Sequence, residues 1–408
     1  MSERYTAGIK ISLKKFIAVA LLVSSALAWF LLINNYFYDI FKFGLGVTGF
    51  WADVGLMLFY SFGAFSALLG SSFSQKIGRR NLLSAWILFG VLVLGSILFF
   101  QGVVFSLFLS VLLGVSVGFG FPSVTAFLSD STVSEERGRV SGLIVLITFI
   151  LIFMGIAIIS FLGSGFLGII LFCVILRSIG FFSLILDRCE RKIVKDNSWR
   201  SVVAQRNFGL YLLPWILFNL AAGLLSMSDI STQLQIATAR AIGISISYVF
   251  MAFSGVIAGL FADRIGRKQP IVIALVAIGS SFALLGYVQI PGTVMIYYSV
   301  YGIAWGILFA LYLTVIGDLS HSLSKEKFYS LGIMVPLIIF TSSSLIPTFL
   351  NMAKVSTGLI SPILSVIIFV SIYPVLRASE TLPTSKINAR KMKEHLNKIG
   401  KLIKESKE

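Results

Sequence analysis

The chain has little of what enzymes use to build catalytic centres or secreted proteins use to build cross-links: two cysteines and two histidines among 408 residues. Cys173 lies in an apolar run and Cys189 in a basic stretch, which gives neither disulfide nor metal-ligand spacing. His321 and His395 have no neighbouring ligands, and the apolar runs hold no paired acids or activated nucleophile. No catalytic residue, metal or cofactor is therefore expected, and an enzyme is disfavoured. Charge is scarce as well. Asp, Glu, Lys and Arg make up 12% of the residues, about half the share of an average soluble protein, while 57% are hydrophobic. No soluble core absorbs that much apolar surface. A dinucleotide-like spacing, Gly44-Leu45-Gly46-Val47-Thr48-Gly49, lacks the strand, soluble helix and downstream acid that a nucleotide fold needs, and reads as chance.

What the chain does have is length in its apolar runs. Crossing a hydrocarbon layer takes about 20 mostly apolar residues. Runs of that kind fall at 16–38, 48–70, 82–100, 103–129, 140–162, 165–186, 207–227, 241–262, 270–289, 293–317, 331–350 and 356–376. Lipid satisfies no bare peptide group, so each is expected to be a helix. The first run is followed by many more, so it is expected to be an uncleaved span and not a signal peptide. Twelve spans put both termini on one side. All of the 33 basic residues except Lys42, Arg177, Arg240 and Lys354 fall on that side, which the positive-inside rule makes cytoplasmic. The net charge of +16 is then a topology signal and not a nucleic-acid footprint.

The expected localisation is the cell membrane, multi-pass, with both termini cytoplasmic. The longest polar connection separates the sixth and seventh runs. It divides the chain into a bundle at 1–186, a linker at 187–206, a second bundle at 207–376 and a basic tail at 377–408. In the tail, Met392, Leu396, Ile399 and Ile403 share a stripe with lysines elsewhere, which suits a helix on anionic lipid headgroups as well as it suits a solvated tail.

The two halves repeat one another. Gly259-Leu260-Phe261-Ala262-Asp263-Arg264-Ile265-Gly266-Arg267-Lys268 has a degraded copy, Ser71-Ser72-Phe73-Ser74-Gln75-Lys76-Ile77-Gly78-Arg79-Arg80, 188 residues earlier (259 against 71). After the fourth run come Asp130 and then Glu136 to Gly142; after the tenth come Asp318 and then Glu326 to Gly332. Arg79 and Arg267 stand where those two aspartates can meet them. The expectation is two salt bridges, Arg79 with Asp130 and Arg267 with Asp318, that break and re-form as the halves rock. Plain positive-inside anchoring is the competing reading.

The charged turn resembles the G-x-x-x-D-R-x-G-R-K hallmark of the major facilitator superfamily, found between helices 2 and 3 and often again between 8 and 9. Gly259 to Lys268 fills every position; the first copy has Ser71 for the glycine and Gln75 for the aspartate. The resemblance spans about residues 10–383. It implies an all-α polytopic membrane protein with 12 transmembrane helices in two pseudo-symmetric six-helix bundles. By the same resemblance the function is secondary transport of a small-molecule substrate by alternating access, in a monomer, with coupling to protons as a symporter expected by analogy only. In that family the motif aspartate helps latch the halves together, so the latch here is expected to be weak or to rest on Asp263 alone.

In the resembling family helices 1, 4, 7 and 10 line the cavity. Residues three and four apart share a helix face, which puts Trp29 with Ser25, Ser110 with Ser106 and Gly114, Trp215 with Asn219, and Tyr301 with Trp305. Trp29, Ser110, Trp215, Asn219, Tyr301 and Trp305 are the expected lining, with helix packing as the alternative. Two intramembrane charges stand out. Arg177 lies deep in the sixth run and pairs with either an anionic substrate or a neighbouring helix. Asp53, a turn inside the second run, is a proton carrier or a solvated helix end. The expected solute is amphipathic or aromatic, and an organic acid if Arg177 reaches the path. Efflux of lipophilic or toxic compounds is the alternative within transport. A membrane sensor or scaffold signalling through its tail is the alternative outside it.

Overall fold

The computed structural model describes residues 11–162, 165–187, 199–226, 237–287, 291–320, 325–350 and 356–383, with scattered positions beyond. Cys189, His321, His395 and Ile403 lie outside the described residues. Among the described residues twelve long helices follow in order: α1 Leu13–Asn35, α2 Phe50–Ile77, α3 Arg79–Ser96, α4 Val103–Gly118 continued by Phe121–Ser131, α5 Ser134–Leu162 and α6 Gly165–Leu186. The second half has α7 Arg206–Ser226, α8 Ala237–Ile265, α9 Lys268–Leu284, α10 Pro291–Leu319, α11 Lys325–Leu350, and α12 Thr357–Val370 continued by Ile372–Arg377. No strand occurs among the described residues. Eleven of these helices are long and apolar enough to cross a membrane. The remaining one, α3, opens on Arg79 and Arg80 and is 18 residues long.

The helices match the apolar runs except at one face. There α2 runs on to Ile77, α5 begins at Ser134 and α11 at Lys325, each longer than its apolar run. The charged motif residues therefore sit on rigid helix ends. The turns themselves are short: Gly78 alone joins α2 to α3 at φ +83°, and Gly266 opens the α8 to α9 turn at φ +106°, a conformation that glycine adopts without strain. Within α4 the helix is interrupted at Phe119–Gly120, just before Pro122, whose ring removes a backbone donor from the ladder.

Two apolar cores result. One is built almost wholly from α1 to α6, and the other from α7 to α12 with Ala126 as its visitor from the first half. The halves meet along two crossings, α5 against α8 and α2 against α11. Leu92, Val104, Ile185 and Val366 point outward, the apolar exterior that a lipid surround requires.

Candidate solute cavity and its closure

Between the halves lies a cavity of about 460 Å³, within the range of small-molecule sites. Both halves wall it, through Phe30, Asn34 and Tyr60 from the first and Asn219, Tyr301 and Trp305 from the second. Aromatic rings dominate the surface. No Asp, Glu, Lys, Arg or His is among the described residues that line it. Trp215 spans from α7 to α11, donating from Nε1 to the Gly332 carbonyl at 2.9 Å, and lies 4.5 Å from the Tyr312 ring. Asn219 donates from Nδ2 to the Trp215 carbonyl at 2.7 Å. Tyr301 stacks near Tyr297 at 5.6 Å and Trp305 near Phe309 at 5.0 Å, which holds both rings in place.

Of the six expected lining residues, Trp215, Asn219, Tyr301 and Trp305 face this cavity and Trp29 and Ser110 do not. Ser110 is buried and returns its hydroxyl to the Ser106 carbonyl at 2.9 Å. Its helix face of small residues is a packing seam: a Cβ added at Gly114 would fall 2.4 Å from the Phe59 carbonyl oxygen of α2. Close approach of the α2 backbone, and not a polar wall, is what those small residues serve. Trp29 is buried inside the first bundle against Arg177, whose guanidinium carbon is 4.5 Å from its ring and 3.3 Å from that of Trp86. Arg177 Nη2 donates to the carbonyls of Trp86 and Ser116, each at 3.1 Å, and to the Ser116 hydroxyl at 3.2 Å. Two aromatic faces and these acceptors hold the cation within its own bundle. Asp53 lies away from the cavity and accepts from the Tyr38 hydroxyl at 2.8 Å.

At the face carrying the helix extensions the cavity ends on Tyr312 and Tyr329, whose hydroxyls donate to the Tyr211 and Leu313 carbonyls. Beyond them is a layer of ion pairs. Arg79 Nη2 is 2.7 Å from Asp130 within its own half and 2.5 Å from Glu326 of the other. Lys325 reaches Asp130 across the halves at 2.6 Å. Arg267 holds Asp318 at 3.1 Å and Asp263 at 2.7 Å. Arg137 crosses to Asp318, and Arg139 crosses to Asp263 at 3.2 Å. Burial by itself pushes the Arg267 pKa down, but the Asp318 and Asp263 carboxylates outweigh it, so the guanidinium ends above its ordinary value and stays charged.

Asp263 also receives the backbone N–H groups of Gly138 and Arg139, both at 2.9 Å, at the start of α5. That carboxylate sits in the positive end of the α5 dipole. The approach is possible because position 138 is glycine: a Cβ there would lie 2.6 Å from Asp263 Oδ1 and 2.6 Å from the Gly259 carbonyl oxygen. Glu380, beyond α12, accepts from the Arg267 and Lys268 N–H groups at 2.8 and 3.2 Å and so caps α9.

The family model of the major facilitator superfamily matches residues 15–331. The chain belongs to the major facilitator superfamily. Comparison with curated proteins gives no match. Among solved structures, the human organic anion transporter MFSD10 (TETRAN) is similar at a TM-score of 0.67 and 15% identity, covering 89% of this chain and 99% of its own. The proton:xylose symporter XylE, solved with 6-bromo-6-deoxy-D-glucose, is similar at 0.68 and 12% identity, covering 90% of this chain and 96% of its own. At such identities the likeness is one of fold.

For this superfamily member, motif reading alone passes over several latch residues. Glu326 is fully buried and carries the acid that Gln75 lacks. Arg137, Arg139 and Lys325 supply the crossing cations. The signal available was the repeated acid and base after the fourth and tenth runs, since Arg137 and Lys325 are themselves 188 residues apart. Tyr60 and Tyr248 line the cavity from helices outside the expected set, and Asn34 from α1 at a position not singled out.

Proposed function

We propose that the protein is a secondary transporter that carries a small amphipathic or aromatic organic solute across the membrane by alternating access. One observation carries this reading: a cavity walled by two bundles whose cores are largely their own is closed on one face by a layer of ion pairs that join the bundles. Such pairs part without unfolding either bundle. The charged face is then cytoplasmic by its excess of Lys and Arg, and the moving units are residues 1–186 and 207–376, tied by 187–206.

Arg79, Asp130, Asp263, Arg267 and Asp318 form the gate. When the halves separate, Arg79 keeps Asp130, and Arg267 keeps Asp263 and Asp318, so neither arginine is left without a carboxylate. That lowers the barrier to opening, because a buried charge stripped of its partner is costly. The membrane lipids surround the outer apolar wall. Fold alone does not select a solute, and the two neighbours are named for different ones. Proton coupling rests on family analogy, with Asp53 in the first turn of α2 as the candidate carrier.

The test is flux in proteoliposomes of the purified protein, measured over a panel of aromatic solutes, organic acids and sugars. A reversible cysteine cross-link between the facing ends of α5 and α8 locks the charged face. At least one solute is expected to move saturably, to stop under the cross-link and to resume on reduction. No protein-dependent flux, or flux indifferent to the lock, contradicts the reading and favours a sensor or scaffold.

A further inference from the structure

Among the described residues the cavity wall combines dense aromatic surface with no charge, and the acids of the layer that closes it are paired. In the layer beneath Tyr312 and Tyr329, Asp130, Asp263, Asp318 and Glu326 each hold a cation. Arg177 is a buried cation inside the first bundle. Its guanidinium lies on the Trp86 ring at 3.3 Å, and Trp86 in turn meets Phe121 edge-on at 6.1 Å. Phe121 is the residue that faces the cavity, so an indole and a phenyl ring stand between that charge and any solute.

Uncharged hydrogen-bonding groups, by contrast, are left over at two levels. Toward the end of α1, Asn34 accepts from the Tyr60 hydroxyl through Oδ1, and its Nδ2 donates to no described residue. Nearby Tyr248 accepts from Asn35 Nδ2 at 2.6 Å, which leaves the Tyr248 hydroxyl proton to give. At mid-depth, Asn219 spends Nδ2 on Trp215, and its Oδ1 accepts from no described residue. Tyr301 and Trp305 likewise present a hydroxyl and an indole N–H without a described partner.

Resting on the reading of this cavity as a solute site, we infer that the solute it takes is electrically neutral: an aromatic or polycyclic body carrying hydroxyl, carbonyl or amide groups toward its two ends. A charged solute would leave water for a wall with no counter-ion among its described residues, and burying an unpaired charge is far more costly than burying a hydrogen-bonded neutral group. The rings accept the apolar body. Asn219, Tyr301 and Trp305 answer the polar groups at one end, and Asn34 and Tyr248 those at the other. Binding is accordingly indifferent to pH, because no described lining group titrates near neutrality.

Matched triplets test this on the purified full chain: 2-naphthamide, 2-naphthoate and 2-naphthylmethylammonium, with the same three groups on biphenyl. Binding is read by quenching of tryptophan fluorescence, to which Trp215 and Trp305 contribute, and by thermal shift. The amide is expected to bind at least about tenfold more tightly than either charged isostere, with the same affinity between about pH 5.5 and about pH 8. Asn219→Ala, and the milder Tyr301→Phe, each weaken the amide while the fold, followed by its thermal transition, is kept. A carboxylate or ammonium that binds as tightly as the amide overturns the inference and leaves the solute site standing. Failure of all six compounds to bind a cooperatively unfolding protein overturns the solute-site reading itself.

Discussion

The α5–α8 crossing and the α2–α11 crossing are built from the same duplicated segment, yet they place their acid on opposite partners. At the first, Asp263 sits on α8, four residues before its arginine, and α5 presents Gly138. At the second, the position equivalent to Asp263 is Gln75, whose Nε2 is buried and finds no hydrogen-bond partner among the described residues, while the position equivalent to Gly138 is Glu326, which binds Arg79 from the other half. One crossing is therefore a close glycine contact with the acid in the same half as its arginine. At the other, the arginine takes a second acid from the opposite half, and that pair breaks when the halves part, as the Arg139 pair with Asp263 does at the first. The motif led to the expectation of a latch that is weak or rests on Asp263 alone; in the structure Glu326 of the opposite bundle brings a carboxylate to Arg79 as well.

The comparison breaks most sharply at Arg79. Arg79→Gln leaves the buried Glu326 without this cation and is expected to destabilise the closed form by about 3–5 kcal/mol, read as loss of thermal stability and of cross-linking across the charged face; Arg79→Gln with Glu326→Gln together restores most of it. If the double variant is no better than the single one, the pair is not what closes this crossing. Next in size, Gly138→Ala forces α5 off α8 and should cost about 2 kcal/mol, while Ser330→Ala on α11 changes little by the same assay. A Gly138→Ala protein as stable as the parent would show that close approach is dispensable.

Smaller effects sharpen the contrast. Asp263→Asn keeps one acceptor for the α5 N–H groups but loses charge toward Arg267 and Arg139, for about 1.5 kcal/mol by denaturant titration. Arg267 is still held by Asp318, which is why this change is milder than the one at Arg79. The smallest change is predicted for the exchange Gln75→Asp with Glu326→Gly, which rebuilds the second crossing in the chemistry of the first and stays within about 1 kcal/mol of the parent. Gln75→Asp alone brings a second carboxylate toward Glu326 and is worse than the exchange. Equal stability of the two would contradict the proposed equivalence.

Much of this was legible in the residues because membrane helices announce themselves by length and hydropathy. The pairings of Arg79 with Asp130 and Arg267 with Asp318 were readable from the repeat, and both are formed. The partner of Glu326 was not, since the repeat sets that acid opposite Glu136, whereas its contact with Arg79 places it where the first crossing has Gly138. Helical phase showed that Ser106, Ser110 and Gly114 share a face, but phase cannot say whether a face meets water or another helix; here it meets the α2 backbone. For the same reason Trp29 read as lining although it stacks on Arg177. The depth of Arg177 was clear from the sequence, whereas its two tryptophan neighbours come from helices remote in the chain. The ends of α2, α5 and α11 were missed because hydropathy stops where the charges begin, and the helices do not.

The central claim is that two bundles rock about the cavity, so that closing one face opens the other. Spin labels at Asn81 and Gln269, exposed equivalents on the charged face, and in a second protein at Phe99 and Tyr287, exposed equivalents at the opposite face, measure this directly once Cys173 and Cys189 are replaced. On introducing Arg79→Gln, the first distance is predicted to lengthen and the second to shorten in the same population of molecules. Distances that stay fixed, or that lengthen together, would contradict it.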